Sequence, residues 1–189
     1  MKPHAPLVLR KEQRWPVEIA TLVDQFLLVE RRLKEIETRL AELASQLEEY
    51  EHLLSIPGIG ENTVIELLAE TGSLKQYKHP RQLIKLAGLT LRENSSGKHE
   101  GVKEISKRGR KRLRSLLYRA ILPLIQNNSV FQELYRYYTT RSTNPLKNKE
   151  AMVVLCGKLL KIFFGLSHHQ VHFSEDRMKQ DLLCLKQAA

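Results

Sequence analysis

The sequence predicts a mainly α fold: a long coiled-coil helix, then a helix-hairpin-helix, then a compact helical domain interrupted by a short loop or hairpin around residues 89–105. Three observations predict it. Ile19, Leu22, Phe26, Val29, Leu33, Ile36, Leu40, Leu43, Leu47, Tyr50 and Leu54 follow alternating steps of three and four, the spacing of a coiled-coil seam. Apolar residues recur at helical spacing again around Val64, Ile65, Leu67 and Leu68, and at Leu113, Leu116, Leu117, Ala120, Ile121 and Leu124. Between these stretches, residues 89–105 hold two glycines, few large apolar side chains and no helical period.

Residues 1–18, with Pro3, Pro6 and Pro16, are expected to be irregular. The coiled coil spans 19–54. A lone helix would leave that stripe wet, so it implies a partner, either a second copy of the chain or another helix of the same chain. Arg32 meets Glu37 across a parallel pair, whereas like charges face each other in an antiparallel one; this favours a parallel homodimer, though exposed pairs contribute little. Residues 55–72 form the helix-hairpin-helix. Ser55–Ile56–Pro57–Gly58–Ile59–Gly60 stops the first helix, a second runs over 62–70, and Thr71–Gly72 closes it. A turn of this kind exposes the N–H groups of Gly58 and Gly60 near a helix N-terminus, where a phosphate fits; a plain helix–helix turn carries the same glycines. A short helix over 82–87 ends at Gly88, and another resumes from Lys107. After Pro123, Val130–Tyr138 forms a helix that Asn144–Pro145 breaks, a helix over 147–166 follows, and 167–189 is a polar tail.

Composition narrows the function. The chain has 189 residues and a net charge of +10, unevenly placed. Residues 1–72 hold 8 basic and 13 acidic side chains, while 73–189 hold 23 basic and 8 acidic. A cationic half on an ordinary globular sequence points to a polyanion, against the alternative of a well-solvated surface. Cys156 and Cys184 have no ligand spacing and suit reduced thiols rather than a disulfide framework. The first residues lack the apolar core of a signal peptide. The apolar run 151–166 is broken by Lys158 and Lys161 and is shorter than the ~18–20 residues of a membrane span, so it is expected to be a buried helix of a cytoplasmic protein without a membrane partner.

The chemistry concentrates in 95–114. Residues 103–119 contain eight Lys/Arg and one acid, Glu104. Lys107, Arg108, Arg110, Lys111, Arg112 and Arg114 crowd a helix start, where cations oppose the helix dipole; an anionic ligand explains that cost, and a solvated face is the alternative. Ser95–Ser96–Gly97 lies just ahead. Taken alone it is a flexible turn. Beside phosphate-binding arginines, a serine hydroxyl has what phosphodiester exchange needs, once a base or metal takes its proton. His168, His169 and His172 suit a polar tail better than a metal site, and no metal ligands are assigned. Tyr135, Tyr137 and Tyr138 suit either core packing or stacking on unpaired bases.

In order and spacing, Ile56–Pro57–Gly58–Ile59–Gly60, Leu67–Leu68–Ala69–Glu70–Thr71–Gly72, Arg81–Gln82–Leu83, Leu86–Ala87–Gly88–Leu89, Arg92–Glu93, Ser96–Gly97, Ile105–Ser106–Lys107–Arg108–Gly109, Arg112–Leu113–Arg114 and Lys158–Leu159–Leu160 resemble the C-terminal region of the transposases of the insertion sequence 110 family. The resemblance implies that 73–166 is a transposase C-terminal domain and that Ser96, with Ser95 as the alternative, forms a phosphoserine link to DNA. It implies DNA and an element-encoded bridge RNA as partners, and a homodimer or higher oligomer through 19–54. It also implies that an N-terminal ribonuclease-H-like domain with an acidic tetrad supplies Mg²⁺, so that this chain binds no cofactor itself and is inactive alone. A bacterial or archaeal, nucleoid-associated setting follows from the same family. The alternative is a non-catalytic dimeric remnant that binds DNA or RNA, or an inhibitor of a full transposase.

Overall fold

The computed structural model describes residues 11–92, 95–96, 99–100 and 104–180, with side chains for 15–92 and 104–180. Among these the protein is mainly α and divides into two compact units, Met1–Glu42 and Leu43–Ala189.

The first unit is the helix α1, Lys11–Ser45, up to Glu42. It begins eight residues ahead of the seam, inside the stretch expected to be irregular, and takes in Pro16. So near the helix start the proline removes only one early backbone bond, which the good helix formers around it tolerate. Its apolar seam is uncovered: Phe26 is 68% exposed and Leu33 53%. Intrahelical pairs, Arg32 with Glu35 at 2.8 Å and Arg39 with Glu42 at 3.1 Å, decorate the helix.

The seam does not continue as one helix to Leu54. It breaks over 46–49 and resumes as α2, Tyr50–Leu54. The cause is a buried carboxylate. Glu49 accepts the Leu74 N–H at 3.1 Å and the Ser167 hydroxyl, which draws the backbone out of helical register. Tyr50 and Leu53, buried to 4% and 0% exposure, then enter the core of the second unit rather than a seam. Burial raises the Tyr50 phenol pKa, helped by Glu61 and Glu51.

A turn over 55–60 leads to α3, Glu61–Thr71, which ends at Gly72. One 3-10 turn, Leu74–Gln76, precedes α4, Pro80–Leu86. That short helix is capped on both strands of its first turn: His79 Nδ1 accepts the Arg81 N–H at 3.0 Å, and Gln82 Oε1 accepts the Lys78 N–H at 2.8 Å. A nested hairpin follows. β1, Leu91–Arg92, pairs antiparallel with β4, Glu104–Ile105, and β2, Ser95–Ser96, pairs with β3, His99–Glu100.

The core is built on α5, Lys111–Asn127, α6, Ser129–Thr140, and α7, Asn148–His169, with α3 and α4 packed on them. Pro123 lies within α5 and does not end it. Asn128 separates α5 from α6: its Oδ1 accepts the Val130 and Phe131 N–H groups, and its Nδ2 donates to Pro57 O at 3.2 Å. α7 is long and apolar enough to cross a membrane by length and composition, yet Leu155, Leu159, Leu160 and Phe163 are each 0% exposed at the centre of this core.

Over 167–180 the tail is more regular and more buried than its polarity suggests. α7 runs to His169, and 175–180 is again helical. Ser55 Oγ accepts the Phe173 N–H at 2.7 Å, and Met178 is 6% exposed in the core. Val171, Phe173 and Met178 pack on the core, and Ser129 Oγ donates to Glu175 Oε2 at 3.3 Å.

Candidate nucleic-acid interface

The cationic cluster is positioned by backbone, not by helix alone. Residues 107–110 are not helical, and α5 starts only at Lys111. Three amides of 106–110 are taken by the neighbouring segment: Ser106 N–H donates to Thr90 O at 2.7 Å, Lys107 N–H to Gly88 O at 3.0 Å, and Arg110 N–H to Leu86 O at 2.7 Å. These bonds extend the β1–β4 ladder down to the end of α4, so the hairpin and the start of α5 are tied at one base.

Two glycines permit that approach. Gly88 has φ +69, a left-handed value that ends α4. A Cβ on Gly109 would fall 2.4 Å from Leu86 O and 2.6 Å from Gly88 N, both backbone atoms. Lys107 itself sits at φ 53, an uncommon conformation for a residue with a side chain.

The cations divide by what holds them. Arg114 is half-buried and donates to Ala87 O at 3.0 Å, bracing the α4 terminus. Arg110 donates to Glu70 O, with the Glu70 carboxylate 3.9 Å away. Lys107, Arg108, Lys111 and Arg112 are exposed and have no acidic partner among the described residues. Arg119, one turn further along, is neutralised by Glu66 at 2.6 Å. Among the described residues, the cluster the sequence offered as one set therefore contains two positioning arginines and four cations without an acidic partner.

Ser95 and Ser96 lie in β2, paired with Glu100 and His99 respectively, at the outer end of this hairpin. Their side chains, and Gly97 entirely, lie outside the described residues. Thr90 and Ser106 were not singled out from sequence. Their hydroxyls meet at 3.1 Å beside the base of the hairpin, and no local spacing would have shown it, because sixteen residues separate them.

The second predicted element is the turn over 55–60. Ile56 and Ile59 are buried at 1% and 8% exposure. Gly58 has φ 96, and Gly60 is the exposed residue before α3, with no side-chain cap. Thr63 N–H already donates to Gly60 O at 3.0 Å, which leaves the Glu61 and Asn62 N–H groups at the start of α3, where Glu61 adds a negative charge.

Among the described residues no group of three or more His, Cys, Asp or Glu is placed to hold a metal. The His168 ring nitrogens lie 3.0 Å from Phe164 O and Tyr77 O, and His172 lies against His52 with centroids 5.0 Å apart. Tyr135, Tyr137 and Tyr138 are partly buried against the core.

A helical domain with a hairpin bonded at its base, and four exposed cations without an acidic partner among the described residues, is the arrangement found over 50–136, and these residues match the family model described as Transposase IS116/IS110/IS902 family. The chain belongs to this family of insertion-sequence transposases. It is 31% identical over 163 residues to the transposase for insertion sequence element IS1111A of Coxiella burnetii, covering 79% of this chain and 45% of that protein. It is 30% identical over 151 residues to the transposase for IS1328 of Yersinia enterocolitica, covering 76% and 43%. An IS116 protein of Streptomyces clavuligerus is 24% identical over 85% of this chain and 39% of its own length. The chain thus spans less than half the length of these relatives.

Proposed function

We propose that this chain is the part of a transposase that grips DNA and carries the serine nucleophile, Ser96, for strand cleavage and rejoining. The observation that carries the reading is the ladder from Gly88 and Thr90 to Ser106 and Lys107. It fixes the hairpin bearing Ser95–Ser96 to the same base as the exposed Lys107, Arg108, Lys111 and Arg112. Those cations bind phosphates of the backbone without reading bases and draw a scissile phosphate towards the hairpin. The Ser96 Oγ–P bond forms as the P–O bond to the departing strand breaks. The serine proton leaves to a base, and the departing oxygen takes up a proton. Guanidinium forks beside the phosphate offset the charge of the crowded phosphorus centre.

The Gly58–Gly60 turn and the start of α3 serve as a helix-hairpin-helix contact to a second phosphate. An acidic tetrad in a ribonuclease-H-like domain of the whole transposase would hold Mg²⁺, which would supply the Lewis acid that makes the serine proton easier to remove. The uncovered seam of α1 pairs with a second copy in parallel; Ile19, Phe26, Leu33 and Ile36 are each more than half exposed without one. An RNA encoded by the element sets the target.

The test is covalent capture. The chain, with and without a separately supplied ribonuclease-H-like domain, is incubated with element-end DNA, element RNA and Mg²⁺ and run on a denaturing gel. A protein–DNA adduct lost in Ser96→Ala and retained in Ser95→Ala is expected. An adduct that survives Ser96→Ala removes the nucleophile assignment. Salt-sensitive DNA retention with no adduct in any mixture makes the chain a binding remnant.

A further inference from the structure

The outer face of α6 is not used by the reading above. Ser129, Gln132, Arg136, Tyr137 and Thr140 line up at helical spacing, opposite the buried Val130, Phe131 and Leu134, and continue to Arg141. They line an open groove of about 560 Å³ that also contains Glu133. Its side chains are amide, hydroxyl, guanidinium, phenol and the one carboxylate of Glu133, outnumbered by Arg136 and Arg141, with no aliphatic anchor.

Two features show preparation for a flat, anionic ligand. The Arg141 guanidinium carbon lies 5.7 Å from the Tyr138 ring centroid, and its Nε donates to Asn144 O at 2.8 Å, so this arginine is held in place before any ligand arrives. Tyr138 and Tyr137 meet edge to face at 5.3 Å, which fixes the rings. A helix C-terminus repels phosphate by its partial negative charge. Arg141, the residue that caps α6, offsets the repulsion at that end, and the exposed Arg136, more than a turn earlier, adds a second cation. Lys147 and Lys149, exposed in the following segment, extend the basic stretch, while Glu150 is bound to the Lys147 N–H at 2.9 Å.

We propose that this face of α6, ending in the Tyr138–Arg141 stack, is a second nucleic-acid surface that takes an unpaired strand. Bases stack on the Tyr137 ring and the Arg141 guanidinium plane, and phosphates pair with Arg136 and Arg141. A duplex hides its base faces and cannot use the stack; a protein partner of ordinary composition would look for apolar anchors that the groove lacks. RNA and DNA single strands share this chemistry.

The test uses the full chain and labelled oligo(dT), oligo(U) and a duplex in fluorescence anisotropy. Arg136→Gln/Arg141→Gln is expected to weaken both single strands at least about tenfold, with a salt slope shallower by about 1.4 for two lost phosphate contacts, and to leave the duplex within about twofold. Arg108→Gln/Arg112→Gln is expected to do the reverse, so failure here is distinguishable from failure of the duplex-binding reading. Arg136→Gln alone guards against misfolding, since its side chain is exposed, and should weaken single strands in the same direction with an unchanged melting curve. Oligo(U) carrying 5-iodouracil should photo-crosslink within 129–142. Single-strand affinity within twofold of the parent, equal loss of single strand and duplex, or crosslinks mapping elsewhere would each overturn the proposal; unchanged affinity would leave the face to a protein partner. A difference between oligo(U) and oligo(dT) says which strand it prefers.

Discussion

Phe26 and Phe163 are the same residue in helices of the same chain, one 68% exposed and the other 0%. The apolar residues of α1 up to Glu42 are exposed, whereas the unit from Leu43 onward buries its own. The difference is one of both local pattern and neighbours. Helix α1 has an apolar stripe on a polar helix, whereas α7 is apolar over most of its length and lies among α2, α4, α5 and α6. Burial, and the stability that comes with it, belongs to the assembly of helices rather than to any one of them.

The largest effect that would break or sharpen this comparison is a pair of truncations. Phe163→Ala should cost the compact unit about 3–5 kcal/mol in urea unfolding. Phe26→Ala should leave that transition unmoved and instead lower self-association in sedimentation. Equal destabilisation by both would mean that α1 shares the core.

A smaller effect separates two glycines within the compact unit. Gly109→Ala forces a Cβ onto the Leu86 and Gly88 backbone and should cost about 1–3 kcal/mol, because neither strand of the ladder can give way. Gly60 has nothing within 4 Å of a Cβ, so Gly60→Ser should shift unfolding by less than about 0.5 kcal/mol. If Gly109→Ala is as mild as Gly60→Ser, the hairpin base is looser than its bonds suggest.

Cys156 probes the core from the inside. Burial pushes its thiol up to about 12, so it stays neutral in the folded unit. The unfolded thiol ionises near its ordinary value. Stability that is fully present at neutral pH should therefore decline as pH rises from that value towards about 12, and Cys156→Ala should flatten the decline. In a Cys184→Ser background, the native protein should resist iodoacetamide and react on unfolding. Rapid labelling of the native state would contradict a closed core.

The smallest expected effect is at Glu66, whose pair with Arg119 is half-exposed on both sides. Glu66→Ala should change stability by less than about 1 kcal/mol. It also frees Arg119, so duplex DNA binding should tighten slightly if the α5 face is the interface; weaker binding would point away from it.

Much of the helical organisation was legible. The Val64–Leu68 stripe, the Gly72 and Gly88 stops and the α5 face from Leu113 to Leu124 all appear as read, because helix periodicity and glycine punctuation are local signals. The misreadings have one common cause. The seam breaks at 46–49 because Glu49 bonds to Leu74 and Ser167, 25 and 118 residues away. The α5 helix starts at Lys111 rather than Lys107 because carbonyls of Leu86 and Gly88 take the amides between. The tail docks because Ser55 and the core accept Phe173 and Met178. At the candidate site the cations were legible as a cluster, but which of them are braced and which are free was not.

The sequence by itself determined the helical class, the apolar stripe of α1, the density of cations near 107–114 and the membership of the family, since each depends on residue type and spacing along one segment. Only the tertiary structure decided that Gly109 is jammed and Gly60 open, that Arg110 and Arg114 brace the fold while Arg108 and Arg112 stand free, and that Thr90 meets Ser106. Those outcomes depend on which distant backbone groups share a hydrogen bond or a van der Waals contact, and chain spacing carries no record of that.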